Sequence, residues 1–236
     1  MGLWPDAMKT ISLVLTATLF SIAIGIPLGI LMNRYKRVGA AMQTVLDVMQ
    51  TMPPFVYLIP VVMLLGIGRV PGFIAVVIYA IPPIIRLTDL GIRLVDKEVL
   101  EAADAYGCSR SQKLWKVQMP QAIKSLVTAV NQTIMMCLGM VVVGGLIGAG
   151  GLGAEQIDTL KLRSPGKAFL VGLAIFAVAM AFDRTTRSLV DRRRVLPIPT
   201  KQYWGGAVAL LVGGWALGRF ADAKKVPWTF DHNIVT

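Results

Sequence analysis

The sequence predicts an all-α membrane protein, and three observations carry that prediction. The 236-residue chain is 55% hydrophobic and 16% charged, where a soluble domain carries about a quarter charged residues. Its apolar residues fall into uncharged runs, and a helix rising about 1.5 Å per residue needs about 20 of them to cross a hydrocarbon core of about 30 Å. Its basic residues gather at the ends of these runs, as membrane topology demands, with no long basic block interleaved with aromatics. The net charge of +11 therefore argues for a lipid bilayer as partner and against nucleic acid.

The first run, Ile11 to Met32, is too long for a signal-peptide core and ends in Asn33-Arg-Tyr-Lys-Arg37 instead of a cleavage site. It reads as an uncleaved transmembrane helix with a basic stop. The second, Thr44 to Gly66, has Asp47 near its start and Thr51-Met-Pro-Pro-Phe55 at its centre, with Pro60 beyond. Pro53 and Pro54 remove two adjacent backbone donors, so the helix is expected to break or kink there. Broken backbone at membrane depth is tolerated against protein or a watery cavity, so the break is either a packing kink or part of a translocation pathway that includes Tyr57. A tight turn, Gly66-Ile-Gly-Arg-Val-Pro-Gly72, leads to the third run, Phe73 to Thr88, which carries its own pair, Pro82-Pro83.

A charged island from Arg86 to Ala122 follows, with greasy runs on both sides, and is expected to be an aqueous loop. Ala102 and Ala103 follow Glu101 and are small enough to let a partner's backbone approach. Gly107 suits the left-handed end of a short helix. Pro120, thirteen positions on, marks the first turn of the next helix. A helix, a sharp turn and a second helix presented to another protein is the expected form.

The longest uncharged stretch comes next, Ser125 to Ala154. Its polar side carries Asn131, Gln132 and Thr133, with Met135 or Met136. Polar groups in a span either bond between helices or serve a site, and both readings stay open here. Gly148-Ala-Gly-Gly-Leu-Gly153 fits the G-x-G-x-x-G dinucleotide fingerprint, but that fingerprint needs a preceding strand; a glycine-rich outside turn is expected, continuing as a loop to Gly166. A fifth run, about Lys167 to Phe182, ends in the basic segment Asp183 to Arg194. Beyond Pro197 and Pro199, Tyr203 to Leu217 reads as a sixth span or an interfacial segment, and Arg219 to Thr236 is a polar tail without an assigned role.

Sixteen lysines and arginines fall on the side of the charged island and five on the other, which puts the island and the basic stops in the cytoplasm and the N terminus outside. Cys108 in the loop and Cys137 in a span are too separate for a disulfide, and one histidine, His232, leaves no zinc set and no His-based triad. With no histidine and no acidic pair in the spans, an intramembrane enzyme is not expected. No G-x-x-x-x-G-K-[ST] loop occurs, so the chain is not expected to bind ATP.

Glu101-Ala102-Ala103, Gly107 and Pro120 resemble the cytoplasmic coupling motif of ABC importer permeases. Five spans with an outside N terminus and this loop between the third and fourth are similar to the five-helix core of type I ABC importers. Tyr57-Leu-Ile-Pro60, Gly66 to Gly72, Ile81 to Thr88, Asn131 to Met136 and Leu146 to Gly153 resemble the glycine betaine/proline (quaternary amine) permease subfamily in particular. The likeness runs from about Met8 to Arg194, so residues 1–194 are expected to be the transmembrane domain, with the coupling loop at about 96–122, and 195–236 an extension without support from the family.

The resemblance implies a non-enzymatic transport subunit of the bacterial or archaeal inner membrane that binds no cofactor itself. It implies a separate ATPase subunit carrying ATP and Mg, a second permease copy forming a homodimer, and an external substrate-binding protein. It assigns ATPase coupling to Glu101, Ala102, Ala103, Gly107 and Pro120. The proline break and the polar side of the fourth run make Pro53, Pro54, Tyr57, Asn131, Gln132, Thr133 and Met136 the candidates for a translocation pathway, with packing within the bundle as the other reading. Glycine betaine, choline, carnitine and proline betaine are not separable by this pattern. A permease of the same fold for another solute, such as an amino acid, is the alternative.

Overall fold

The computed structural model describes residues 3–192, with side chains to residue 186; the apolar segment Tyr203 to Leu217 and the tail lie outside it. The described residues form ten α-helices: α1 (Trp4–Arg34), α2 (Lys36–Thr51), α3 (Pro54–Leu65), α4 (Arg69–Arg93), α5 (Lys97–Ala105), α6 (Arg110–Gln112), α7 (Met119–Gln121), α8 (Ile123–Gly144), α9 (Gly151–Lys161) and α10 (Pro165–Arg192). Four stretches are long and apolar enough to cross a membrane alone: α1, α4, α8 with the short 3-10 turn that follows it, and α10. The pair α2–α3 passes only as a unit, bent by 102° at its break.

That pair is a broken span and not a re-entrant loop, because its ends lie at opposite ends of the bundle. One residue separates α2 from the C-terminal end of α1. Just after α3, the Gly68 amide donates to the Ile147 carbonyl beyond the far end of α8. Five crossings result among the described residues, as expected from sequence for the core. The second, however, starts at Lys36 instead of Thr44. At about 1.5 Å per residue the 12-residue α3 is about 18 Å long, so α2 supplies the rest of the crossing at an angle.

The core lies where α1, α4 and α8 meet: Val14, Ala17, Ala75, Val76, Ala80, Cys137 and Met140 are fully buried there. In lipid, helices associate through close packing and not through a hydrophobic drive, and α1 meets α4 through Gly25 and Gly29. A Cβ on Gly29 would lie 2.8 Å from the Ile85 carbonyl oxygen and 2.6 Å from Thr88 Cβ. This Gly-x-x-x-Gly spacing is the sequence signal for the contact.

Two expectations change at the bundle ends. The third span does not stop at Thr88: α4 continues to Arg93 with Thr88, Asp89, Gly91 and Ile92 buried, so the aqueous island begins about two turns later than Arg86. Asp89 tolerates this because Arg93 Nε donates to its Oδ1 at 2.9 Å and Asn33 Nδ2 at 3.1 Å. Arg86 is neutralised by Asp47 of α2. At the other end, the segment expected as a loop from Gly148 to Gly166 contains α9. Gly148 and Gly150 take positive φ in the turn before it and Gly151 does so as its first residue, and the Thr10 hydroxyl of α1 accepts the Leu152 amide at 2.8 Å. A side chain distant in sequence thus satisfies one of the orphan donors of the first turn, which no local pattern reveals. The glycine-rich segment follows α8, not a strand, so its dinucleotide-like spacing has no matching context.

Candidate functional site

The segment between α4 and α8 is built as a rigid projection. Helix α5 ends in a Schellman turn: the Cys108 amide donates to the Ala103 carbonyl at 3.1 Å and the Gly107 amide to the Asp104 carbonyl at 2.9 Å. Gly107 closes it at φ +72, as expected of a residue without a Cβ. The next helix opens with a capping box, in which Ser109 Oγ accepts the Gln112 amide and the Gln112 side chain accepts the Ser109 amide. Ser109-x-x-Gln112 is the sequence signature for that start. An ion pair from Asp104 to Lys113 ties the two arms together. A six-residue π-helical stretch, Lys113–Gln118, then widens the backbone immediately before Pro120, which sits in the one-turn α7 with no amide to donate.

Of the five residues assigned here from sequence, Glu101, Ala102, Gly107 and Pro120 are exposed. Ala103 is not: at 8% exposure it faces inward, so of the two alanines expected to admit a partner only Ala102 is placed to do so, and Ala103 packs the turn instead. Both roots of the projection are fixed to core helices. Val95 is buried below α5 and Ala122 below α8, and a Cβ on Gly91 of α4 would lie 2.8 Å from Ser125 Cβ of α8. The projection is therefore anchored to α4 and α8 together.

Residues 21–195 match the binding-protein-dependent transport system inner membrane component family. The chain belongs to that family. It is 48% identical over 185 residues to the glycine betaine/carnitine transport permease protein GbuB of Listeria monocytogenes, covering 78% of this chain and 66% of that one. It is 46% identical over 188 residues to the glycine betaine/proline betaine transport system permease protein ProW of Escherichia coli, covering 80% and 53%. The chain thus spans between about half and two thirds of the length of these relatives. Among solved structures, an inward-facing MetNI methionine ABC transporter chain aligns with a TM-score of 0.63 at 23% identity, covering 79% of this chain and 94% of that one. That likeness bears on the fold, which is that of a type I importer permease.

In this transport component, the residues assigned to a pathway separate into two groups. Asn131 Nδ2 donates to Asp183 Oδ1 of α10 at 3.1 Å, and Thr133 is fully buried; both face the chain's own bundle. Asp183, expected in the basic stop beyond the fifth span, is thereby drawn into the helix pair. Gln132 between them is exposed on α8. An amide is costly on lipid, so a membrane helix turns such a group toward protein or water, and its uncovered side points away from the described bundle. Met136 is half-buried against the core, and Tyr57 is buried in it with its ring edge-to-face with Tyr79 at 5.5 Å between centroids. Pro53 is exposed and Pro54 half-buried at the bend.

Proposed function

We propose that this chain is the permease subunit of an ATP-driven importer of a compatible solute such as glycine betaine. The observation that supports the coupling half of this reading is mechanical: an exposed, internally cross-linked projection is rooted in two of the three core helices. A separate ATPase subunit, holding ATP and Mg, would dock on Glu101, Ala102 and the Gly107 turn. Movement of two such projections, one from each copy of a homodimer, would rock the bundles between outward and inward access. An external binding protein would deliver the solute to the side carrying the N terminus, and the projection would face the cytoplasm. Residues 1–194 act as the transmembrane domain.

The solute class rests on the relatives: GbuB and ProW both have glycine betaine in their names. A zwitterion with a permanent cation and no net charge suits a path without an unpaired carboxylate. Asp47 and Asp89 are each paired to arginine, and Gln132 offers an uncharged amide.

Radiolabelled glycine betaine uptake by the assembled complex tests the reading. Gly107→Pro cannot adopt φ +72, so it should reduce uptake to background while the protein remains in the membrane at normal level. Normal uptake by that variant would sink the coupling role. An assembled complex with active ATPase and no betaine uptake would leave the importer and overturn the solute.

A further inference from the structure

The projection carries one feature that the coupling motif does not use. Tyr106, immediately before Gly107, is 88% exposed. Its surroundings are charged and open (Glu98, Glu101 and Arg110 are exposed), so the ring stands in water and not in lipid. An aromatic so placed adds nothing to this chain's own packing. Its backbone is nonetheless held in one place: the Schellman turn, the capping box and the Asp104–Lys113 pair fix the chain on both sides of it. Along α5, Glu98, Ala102 and Tyr106 recur at four-residue spacing on one outward stripe. Asp104 spends its charge on Lys113, whereas no bond or ion pair engages Glu98 or Glu101 within the described chain.

We infer that Tyr106 is the anchor by which the projection engages the ATPase subunit, entering an apolar pocket on that partner. The inference rests on the proposed coupling role and adds what the partner's surface must offer. That surface is a groove deep enough for a phenol ring, flat where Ala102 lets the backbones approach, and cationic at the rim facing Glu98 and Glu101. Rigid aromatics in desolvated pockets carry a disproportionate share of interface energy, and a ring presented on a pre-fixed backbone has only its own side-chain rotation left to lose on docking. The motif residues Glu101, Ala102 and Gly107 then set the shape and approach of the contact, and Tyr106 holds it.

The test uses the full permease purified in lipid nanodiscs and its ATPase subunit, with affinity measured at low and high salt. Tyr106→Ala should weaken association at least about tenfold, and Tyr106→Phe should restore most of it, because the pocket reads the ring. Glu98→Gln with Glu101→Gln should flatten the salt dependence and leave the loss on Tyr106→Ala in place. Independently, p-benzoylphenylalanine at position 106 should photocrosslink to the ATPase subunit, which does not depend on a weakened complex. If Tyr106→Ala binds like wild type and position 106 gives no crosslink while Glu101→Lys still abolishes binding, the anchor is overturned and the coupling loop stands. If Glu101→Lys also binds normally, both fall together.

Discussion

The chain contains two adjacent proline pairs in apolar runs, and the structure treats them in opposite ways. Pro53–Pro54 ends α2, starts α3 and turns the chain by 102°. Pro82–Pro83 sits inside α4, which passes through it unbroken for 25 residues. Each pair removes the same two amide donors and restricts the residue before each proline, so local chemistry does not separate them. Packing does. At the first pair Met52 and Pro53 take extended ψ of 131° and 146°, the preference of a pre-proline residue, and Pro53 is exposed. At the second pair both prolines are buried, just ahead of the Ile84–Thr88 turn that α1 clamps through Gly25 and Gly29. Where neighbours grip the helix it stays helical; where they do not, the prolines decide.

The strongest way to break this contrast is to loosen the grip. Gly29→Leu places side-chain atoms where only about 2.8 Å is available to the Ile85 carbonyl oxygen, and overpacking of this kind costs about 3 kcal/mol or more. Loss of the folded, monodisperse protein in detergent is the expected outcome, with α4 deformed near its proline pair. A variant as thermally stable as wild type would mean that the α1–α4 contact does not hold α4 straight.

Exchanging the prolines themselves should give a smaller and asymmetric result. Pro53→Ala with Pro54→Ala restores two donors and frees Met52 to be helical, so α2 and α3 should swing toward one continuous helix. Spin labels at Met42 and Met63 should then move apart by more than about 5 Å, and uptake should fall about tenfold as the crossing changes shape. The matched change, Pro82→Ala with Pro83→Ala, should leave distances across α4 within about 2 Å of wild type, because the surrounding helices already impose the straight path. Equal responses from the two pairs would undo the explanation.

The contrast also shows which parts of the fold could be read in advance. The five crossings, the break at Pro53 and the left-handed Gly107 follow from local chemistry: hydropathy, a missing amide, a missing Cβ. Pro120 does not mark the first turn of the second helix as expected, because that helix opens at the Ser109 capping box and Pro120 lies well beyond its first turn. What escaped depends on distant partners. Asp89 is buried because Asn33 and Arg93 reach it, Ala103 faces inward, and α9 begins in a glycine-rich turn because Thr10 caps it. The three neighbours Asn131, Gln132 and Thr133 looked alike as polar residues in a span. Only helix phase against α10 divides them, turning Asn131 to Asp183 and leaving Gln132 uncovered.

The smallest expected effect probes how the bend is held once it forms. Pro53 has no amide to give the Met49 carbonyl four residues earlier, and the Tyr57 hydroxyl donates to that carbonyl instead. A side chain from the far side of the break thus replaces the lost backbone bond and ties α3 back to α2. Tyr57→Phe keeps the ring against Tyr79 but removes the donor, and leaving a partly buried carbonyl unpaired costs about 1–2 kcal/mol. In a Pro53→Ala background the new amide at position 53 can bond Met49, so the same Tyr57→Phe change should cost close to zero. The coupling between the two substitutions in a thermodynamic cycle, about 1 kcal/mol, measures the substitution of hydroxyl for amide. Equal costs of Tyr57→Phe in both backgrounds would mean that the hydroxyl stands beside the bend without holding it, and the first proline pair would then be shaped by the pre-proline preference alone.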